Sequence, residues 1–463
     1  FLNSNLKMIY KNLQSLMQLS KACGSDIYVV GGTLRDRLLK KKCSDFDFAV
    51  SGASTLARKY SRDTSSPIVP LDTTPGRETF RVVIRNNLYF DFSELQGGSI
   101  ETDLSLRDFT FNAMAVPLHA FINGTERFID PHNGKADIKN KTIRMLQGPV
   151  FSNDPLRMLR AFRFMSTIKF QIEEHTYKQI SALKEKINEV APERIYSELN
   201  YLLNSKKASP SISAMHDSGL LKCLFPALYK NTNTPPSIRV VAFMETLLSN
   251  PKTTGAKPLA DIKKLFQRKR GLIKLGAILY PLKKTTPDIA TGRQRKWSRN
   301  SKLGIVLTGL RASNADIDFI IAMVSCWRSA SVSKLDFAGC MPNMHLLYQF
   351  IHYNEKGLIP GLFLHLANRP KLPKGEKWKT DATSIAVRNS LDFYFHVYLP
   401  AKSNKPLLDG NDIKQQFNII PDSLFKIILD KVEEAQILRI ISTRAEAIHF
   451  AKGILDSHRK ESN

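Results

Sequence analysis

Two aspartates separated by one residue follow a paired-glycine turn near the start of the chain. Asp45 and Asp47 stand in the run Ser-Asp-Phe-Asp-Phe, and Gly31 and Gly32 precede them. Residues two apart on a strand point to the same face, about 7 Å apart along the chain. Such carboxylates can bracket two Mg²⁺ ions, which take hard oxygen ligands and stabilise the attacking and leaving oxygens of a displacement. The spacing predicts metal-assisted transfer, with both aspartates as metal ligands and catalytic groups.

The glycine pair lies where an apolar strand runs into a helix. Exposed backbone N–H groups at such a turn, together with the helix N-terminus, can hold a triphosphate. Arg35, on the same helix, would add a charge-assisted contact to it. Asp91, in the later strand Leu88 to Phe92, is a candidate third metal ligand; the other interpretation is an acid on an edge strand.

Two kinds of periodicity divide the chain. Short β-branched and aromatic runs separated by turn residues predict strands and a mixed sheet in the first part. The predicted strands are Ile27 to Val30, Phe46 to Val50, Phe80 to Ile84, Leu88 to Phe92 and Ala113 to Val116. From Asp154 onward the apolar residues follow helical spacing. The sequence therefore predicts an α/β head followed by an almost wholly helical remainder.

Charge points to a polyanionic partner. The 463 residues contain 68 Lys and Arg against 42 Asp and Glu, a net charge of +26. The stretch from Pro251 to Leu310 alone holds 15 Lys or Arg and two Asp, which would suit an RNA backbone. The five widely spaced cysteines favour a reducing compartment, and neither a membrane span nor a secretion signal is evident. We expect a cytoplasmic protein.

Five ordered blocks in roughly the first 205 residues resemble the class II tRNA nucleotidyltransferases and bacterial poly(A) polymerases of the polymerase β superfamily. The blocks are Gly31 to Asp47, Arg107-Asp108-Phe109-Thr110-Phe111-Asn112-Ala113, Asp130 to Gly134, Asn153-Asp154-Pro155-Leu156-Arg157 and Glu193 to Leu199. Two positions depart from the family pattern. Asn153 stands where the family usually has Glu, and Gln96 where it usually has Arg.

The resemblance implies roles for the residues after the metal site. Arg107, Asp108 and Asn112 would bind the nucleotide, with a carboxylate available to select a ribose 2′-OH. Asp154 and Arg157 would read the Watson–Crick edge of the incoming base in place of a template: Asp accepts from the amino group of C or A, and Arg donates to a ring nitrogen or carbonyl. Arginines recurring every three residues lie near one helical face and would line the pocket. These are Arg157, Arg160 and Arg163.

The short connection Ser93 to Leu106 bears on which nucleotide is added. Family members that add CCA usually carry a longer flexible loop there, so this connection resembles the CC-adding subtype. A poly(A) polymerase shares the same blocks and remains an alternative. A small-molecule nucleotidyltransferase would not need the basic stretch, and a non-catalytic RNA-binding protein would not need the intact acidic and basic residues.

The resulting expectation is a template-independent enzyme that uses Mg²⁺ with CTP, ATP or both to extend the 3′ end of a tRNA, contacting its acceptor arm. The predicted architecture is a polymerase β-like nucleotidyltransferase head with a small mixed sheet, then an all-α neck, body and tail. The predicted bounds are 1–150 for the head, 151–205 for the neck with the base-reading residues, 206–330 for the basic RNA-binding body and 331–463 for the tail.

Overall fold

A computed structural model describes most of the chain. The described residues are 4–85, 87–125, 127–230, 232–233, 235, 237–249, 259–282, 299–332, 343–369, 381–417, 419 and 423–461. Within them, no helix combines the length and apolar character needed to cross a lipid bilayer.

A six-stranded mixed sheet forms the centre of the first part. Its strands are β1 (Ile27–Val30), β2 (Asp45–Val50), β3 (Ile68–Asp72), β4 (Thr79–Ile84), β5 (Leu88–Glu94) and β6 (Ala115–Pro117). The strand order is β3-β4-β5-β2-β1-β6. All neighbours are antiparallel except β2 and β5, which run parallel. The structure thus confirms the mixed sheet that the sequence predicts.

Along the start of β2, aspartates alternate with buried phenylalanines. Phe46 and Phe48 are buried, and the ring of Phe48 packs edge-on against Phe90 of β5, with centroids 5.2 Å apart. Because successive side chains on a strand point to opposite faces, Asp45 and Asp47 face away from this aromatic core. Burial of the phenylalanines therefore fixes the register that presents both carboxylates on one face.

Short helices surround the sheet, and longer ones follow it. The helices of the first 150 residues are α1 (Ser4–Ala22), α2 (Gly31–Leu38), α3 (Ala53–Asp63), α4 (Ile100–Ser105), α5 (Leu118–Asn123) and α6 (Gly134–Asn140). Next come α7 (Val150–Asn153), α8 (Leu156–Ile168), α9 (Glu174–Leu183), α10 (Pro192–Asn204), α11 (Ser209–Asp217) and α12 (Leu220–Leu224). Strands β7 (Thr142–Ile143) and β8 (Gln171–Ile172) form a small parallel pair.

The rest of the described chain is helical. Its helices are α13 (Ser237–Ser249), α14 (Leu259–Leu279), α15 (Lys302–Gly309), α16 (Asn314–Val332), α17 (Met344–Asn354), α18 (Leu358–Ala367), α19 (Ala382–Phe393), α20 (Leu399–Lys402), α21 (Gly410–Phe417), α22 (Ser423–Ile437) and α23 (Arg444–Glu461). A separate apolar cluster, which includes Ile413, Ile428 and Ala447, forms the core of the last three. The prediction of a helical remainder is confirmed.

The chain divides into two compact units. One comprises Phe1–Leu202 with Ser211–Leu224, and the other comprises Leu203–Pro210 with Phe225–Asn463. The sheet and helices α1 to α10 up to Leu202 belong to the first unit. The finer division into head, neck, body and tail stays a prediction.

Candidate active site

The glycine turn brings main chain against an aspartate. Gly31 begins α2 with a φ of +62°, a conformation that glycine adopts without steric cost. The Gly32 N–H donates to Asp47 Oδ2 over 3.1 Å, and a Cβ on Gly32 would lie at the same distance from that oxygen. Thr33 Oγ1 accepts from the Asp47 N–H over 2.8 Å. The paired glycines are therefore needed to let the turn approach the carboxylate.

Three carboxylates lie on the two parallel strands. Asp47 of β2 is the direct register partner of Asp91 of β5, and Asp45 precedes it by two residues. Arg81 of β4 donates from Nε and Nη2 to both oxygens of Asp91, over 2.8 and 2.7 Å. Within the described residues, no group of three or more His, Cys, Asp or Glu side chains is gathered closely enough to hold a metal ion. Both oxygens of Asp91 already accept hydrogen bonds from Arg81, so the role of Asp91 as a third metal ligand stays a prediction.

The chemistry of Asp45 and Asp47 fits a divalent cation. They supply hard oxygen donors on one face of β2, and water or phosphate oxygens commonly complete the coordination of such ions. Burial and then the charge of the neighbouring Asp91 raise the pKa of the Asp47 carboxyl to about 6, although Arg107 and Arg35 act to lower it. Burial also raises the pKa of Asp45. The site therefore concentrates negative charge that a cation would stabilise.

Arg107 is set in place by the short connection before it. This connection folds into a 3₁₀ turn, Gln96–Gly98, and helix α4. Asp103, buried on α4, accepts from Arg107 Nε and Nη2 over 3.0 and 2.8 Å. A Cβ on Gly31 would lie 3.0 Å from Arg107 Nη1. The connection therefore holds a guanidinium directly over the glycine turn.

A hydrogen-bond network joins the glycine helix to the second basic block. Arg35 donates to Asn112 Oδ1 over 2.9 Å and also pairs with Asp36 over 3.0 Å. Asn112 in turn donates from Nδ2 to Asp108 Oδ1 over 3.0 Å. Asp108 Oδ2 accepts from Arg160 Nε over 2.9 Å. The network fixes the side chains of the three predicted nucleotide-binding residues Arg35, Asp108 and Asn112.

The predicted base-reading pair lies at the break between α7 and α8. Asp154 Oδ1 accepts from the Leu156 N–H over 3.3 Å, so it stabilises the start of α8. Arg157 donates from Nη1 and Nη2 to the main-chain oxygens of Arg107 and Leu106, over 3.1 and 2.8 Å. The arginine predicted to read the base is therefore anchored to the backbone of the short connection.

One glutamate forms ion pairs with the other two arginines of α8. Glu198 of α10 lies 3.2 Å from Arg160 Nη1 and 2.9 Å from Arg163 Nε through its two oxygens. The guanidinium of Arg163 also lies over the ring of Phe164, 4.3 Å from its centroid. Burial and then the positive charge of the neighbouring Arg160 lower the pKa of Arg163 to about 10. The two arginines are thus held by one carboxylate.

The predicted nucleotide-binding residues and Asp47 line one cavity of about 440 Å³. It is lined by Gly31, Gly32, Arg35, Asp47, Arg107, Asp108, Asn112, Asp154, Arg157, Arg160, Arg163 and Arg194, among others. Asp45 and Asp91 do not line it; they lie beside Asp47, two residues before it on β2 and opposite it on β5. The structure therefore brings most of the predicted site residues together, although they come from the sheet region, from the break before α8 and from α8 itself.

Sequence reasoning assigned no role to four residues of this site: Arg81, Asp103, Arg194 and Glu198. Arg194 and Glu198 stand four residues apart, a spacing that places residues of one helix on the same face, whereas Arg107 lies beyond the end of α4. That spacing was a usable signal. The Arg81 pairing depends on the register of β4 with β5, and residue types alone do not indicate it.

The basic stretch from Pro251 to Leu310 is only partly described. Seven of its cations lie outside the described residues: Lys252, Lys257, Lys283, Lys284, Arg293, Arg295 and Lys296. On α14, Lys263, Lys264 and Arg268 are exposed. Lys274 is fully buried and lies 2.6 Å from Glu245. Lys274 therefore contributes to packing, and the exposed cations of α14 remain candidates for RNA contact.

Two families match separate parts of the chain. The "Poly A polymerase head domain" matches residues 27–144, which contain the sheet and the glycine turn. The "Probable RNA and SrmB- binding site of polymerase A" matches residues 169–231.

Named relatives and solved structures extend this similarity. A CC-adding tRNA nucleotidyltransferase from Geobacter sulfurreducens is 36% identical over 225 residues, which is 48% of this chain and about half (51%) of that protein. One from Synechocystis is 28% identical over 439 residues and 92% of each chain. A structure described as a CCA-adding enzyme with ATP has a TM-score of 0.67 and 20% identity over 97% of this chain and 96% of its own. At that identity, the structural likeness shows a shared fold.

Proposed function

We propose that the chain extends the 3′ end of a tRNA without a template, because two poly(A) polymerase family models match parts of it and CC-adding tRNA nucleotidyltransferases are among its relatives. CTP, ATP or both would be the nucleotide donors. One observation carries the proposal: the carboxylate Asp47, the Gly31–Gly32 turn and the pair Asp154 and Arg157 line the same cavity.

The reaction we propose is a single displacement. Asp45 and Asp47 would hold Mg²⁺, which when bound would neutralise charge on the phosphates and the attacking oxygen. The Gly31–Gly32 turn and Arg107 would bind the triphosphate, and Asp108 with Asn112 would face the ribose. The 3′ hydroxyl of the RNA would attack the α-phosphate, and pyrophosphate would leave. No covalent enzyme intermediate is needed.

Base choice would come from side chains at the start of α8. A carboxylate accepts hydrogen bonds from the amino groups of cytosine and adenine, whereas uracil and guanine present a carbonyl there. Asp154 would supply that acceptor and Arg157 the complementary donor. The short connection, folded as helix α4, supports the CC-adding subtype, as do the names of two relatives.

A poly(A) polymerase is the second candidate. The head-domain family carries that name, and the same cavity would serve ATP alone. The two functions differ in their RNA, because CCA synthesis needs a tRNA and stops after a fixed number of additions.

Incorporation by the purified full-length protein with Mg²⁺ tests both candidates. CTP and ATP are offered separately to tRNAs that end at the discriminator base, in C or in CC, and to an unstructured RNA. Two C additions that then stop would support the CC-adding subtype, and one further A would indicate CCA addition. Long A tails on the unstructured RNA would indicate poly(A) synthesis, and no incorporation on any RNA would contradict the proposal.

Matched variants link activity to the site. Asp45→Ala and Asp47→Ala should each lower transfer by on the order of 10³-fold, since metal positioning supplies several kcal/mol to such transition states. Binding of tRNA should persist. Asp63→Ala, at an exposed aspartate of α3, is the control for losing a surface carboxylate. Normal turnover in both site variants would overturn the metal-site assignment.

We place the reaction in the cytoplasm, with the tRNA acceptor arm as the partner surface. The four described cysteines carry free thiols, as a reducing compartment would maintain them. Fractionation of cells that express the chain from its own gene would test the location.

A further inference from the structure

Helix α10 presents two charged residues toward the base-reading helix α8. Arg194 and Glu198 stand four residues apart, so they share one face of α10. Glu198 pairs with Arg160 and Arg163. Arg194, one turn earlier, donates from Nη2 to Asp154 Oδ2 over 2.9 Å. The face therefore contacts three of the residues predicted to contact the nucleotide.

Both oxygens of the Asp154 carboxylate accept hydrogen bonds. Its Oδ1 accepts from the Leu156 N–H, and its Oδ2 accepts from Arg194. An ionised carboxylate offers about four acceptor positions, so positions for a further donor remain on each oxygen. Two fixed contacts on different oxygens restrict rotation of the carboxylate. Asp154 is thus an acceptor with a set direction, inside the cavity that contains Gly31 and Asp47.

We propose that Arg194 is a positioning residue for base selection, which rests on the proposed function. Its ion pair orients Asp154 so that the remaining acceptor positions face the amino group of the incoming base. A fixed anionic acceptor favours the amino groups of C and A and repels the carbonyl oxygens of U and G. Asn153, the preceding residue, is exposed and carries no charge. Arg194 is the cation that donates directly to this carboxylate.

The exposure of the pair separates this role from a structural one. The side chain of Arg194 is 54% exposed and that of Asp154 is 19% exposed. Exposed ion pairs contribute little to folding stability, because water and ions screen them. Loss of Arg194 should therefore leave the protein folded while changing which nucleotide it prefers.

Equilibrium binding of CTP, ATP, UTP and GTP to the full-length protein tests the inference. The wild type should bind CTP or ATP more tightly than UTP and GTP. Arg194→Ala should lower that preference about tenfold, since one oriented charge-assisted hydrogen bond is worth roughly one decade. Arg194→Lys should restore part of it, because an ammonium still pairs with the carboxylate but lacks the planar fork.

A double-mutant cycle assigns the effect to the pair. In an Asp154→Ala background, Arg194→Ala should change the preference no further. Lys178→Ala removes an exposed cation from α9, where it pairs with Glu174, and should leave the preference unchanged. Equal weakening of all four nucleotides by Arg194→Ala, or an undiminished effect without Asp154, would overturn the inference.

Binding and transfer together distinguish the two proposals. A wild type that prefers CTP or ATP in binding but incorporates neither would contradict the proposed function and support base selection by this site. A wild type that binds all four nucleotides equally would overturn the inference, whatever its transfer activity.

Discussion

Arg160 holds Asp108 across 52 residues of chain, with its Nε and Nη2 at 2.9 and 2.8 Å from one carboxylate oxygen. Asp108 is buried, and its other oxygen accepts from Asn112 and from the Phe109 N–H. The bond therefore connects helix α8 to the hydrogen-bond network of the head.

Asp108→Asn should destabilise the protein. Removing one charge of a largely buried pair leaves the other poorly compensated, which costs about 3 kcal/mol. Urea unfolding of the wild type and variant measures the difference, with Asp63→Asn at an exposed site as the control. Equal midpoints for wild type and Asp108→Asn would contradict a stabilising role for the pair.

The same residue should shape acid unfolding. Burial alone would raise the pKa of Asp108, but Arg160 and the Asn112 amide outweigh it and lower the pKa to about 2. An unfolded aspartate titrates near 3.9. The stability from ionised Asp108 is therefore present above about pH 4 and is lost as the pH falls toward 2. Stability curves of wild type and Asp108→Asn should converge over that interval; parallel curves would exclude this contribution.

Gly31→Ala should impair nucleotide binding beyond its cost in stability. Its φ of +62° strains any other residue, and its Cβ would lie 3.0 Å from Arg107 Nη1 and 3.5 Å from Asp47 Oδ2. Gly52→Ala is a matched control, since Gly52 has a φ of +78° and open space around its Cβ position. Both variants should lose about 1–2 kcal/mol from the strained backbone. Only Gly31→Ala should weaken nucleotide binding, which titration calorimetry would measure; an equal effect in Gly52→Ala would contradict this account.

Divalent-metal affinity should fall as the pH falls below about 6. Burial raises the pKa of Asp47 to about 6, and a protonated carboxyl is a poor ligand. Folding stability of the metal-free protein should change with pH in the opposite direction to metal affinity. Because the pKa of Asp47 is raised in the folded state, its contribution to stability is present at low pH and is lost as the pH rises through 6. Calorimetric titration with Mn²⁺ at pH 5.5 and 7.5 tests the affinity. Asp47→Asn should remove the pH dependence, and equal wild-type affinities would count against the assignment.

Lys274→Met should destabilise the second unit. Lys274 is fully buried, and its Nζ lies 2.7 Å from the Ser205 carbonyl and 2.6 Å from Glu245. The variant leaves Glu245 buried without its cation, which costs about 3 kcal/mol. Lys264→Met makes the same change at an exposed position of α14 and should have little effect. Hydrogen exchange of α13 and α14 amides measures both; unchanged protection in Lys274→Met would refute the prediction.

Runs of β-branched and aromatic residues bounded by turn residues made most of the sheet predictable. Strands β1, β2, β4 and β5 agree with the sequence prediction within two residues at each end, because such runs fill the buried positions of the sheet. Strand β3 was missed. It lies at the sheet edge, contains Pro70, and exposes Val69 and Leu71, so it lacks a half-buried pattern.

The site was predictable where residue type decides the chemistry, and less so where partners are distant. Asp45, Asp47 and the arginines of α8 could be named from spacing and family blocks. The pairing of Arg194 with Asp154 spans 40 residues, and no local pattern reveals it. The hydrogen bonds that anchor Arg157 could not be predicted from residue types, because their acceptors are main-chain oxygens, which every residue possesses.

Those main-chain acceptors have an evolutionary consequence. Because Arg157 binds the backbone at Leu106 and Arg107, the side chain at position 106, which is exposed, can change without altering the anchor. A change in the length of the connection cannot be accommodated so easily, since it would shift the two carbonyls and the guanidinium with them. Insertions and deletions between Ser93 and Arg107 would thus alter nucleotide preference even with every cavity side chain unchanged.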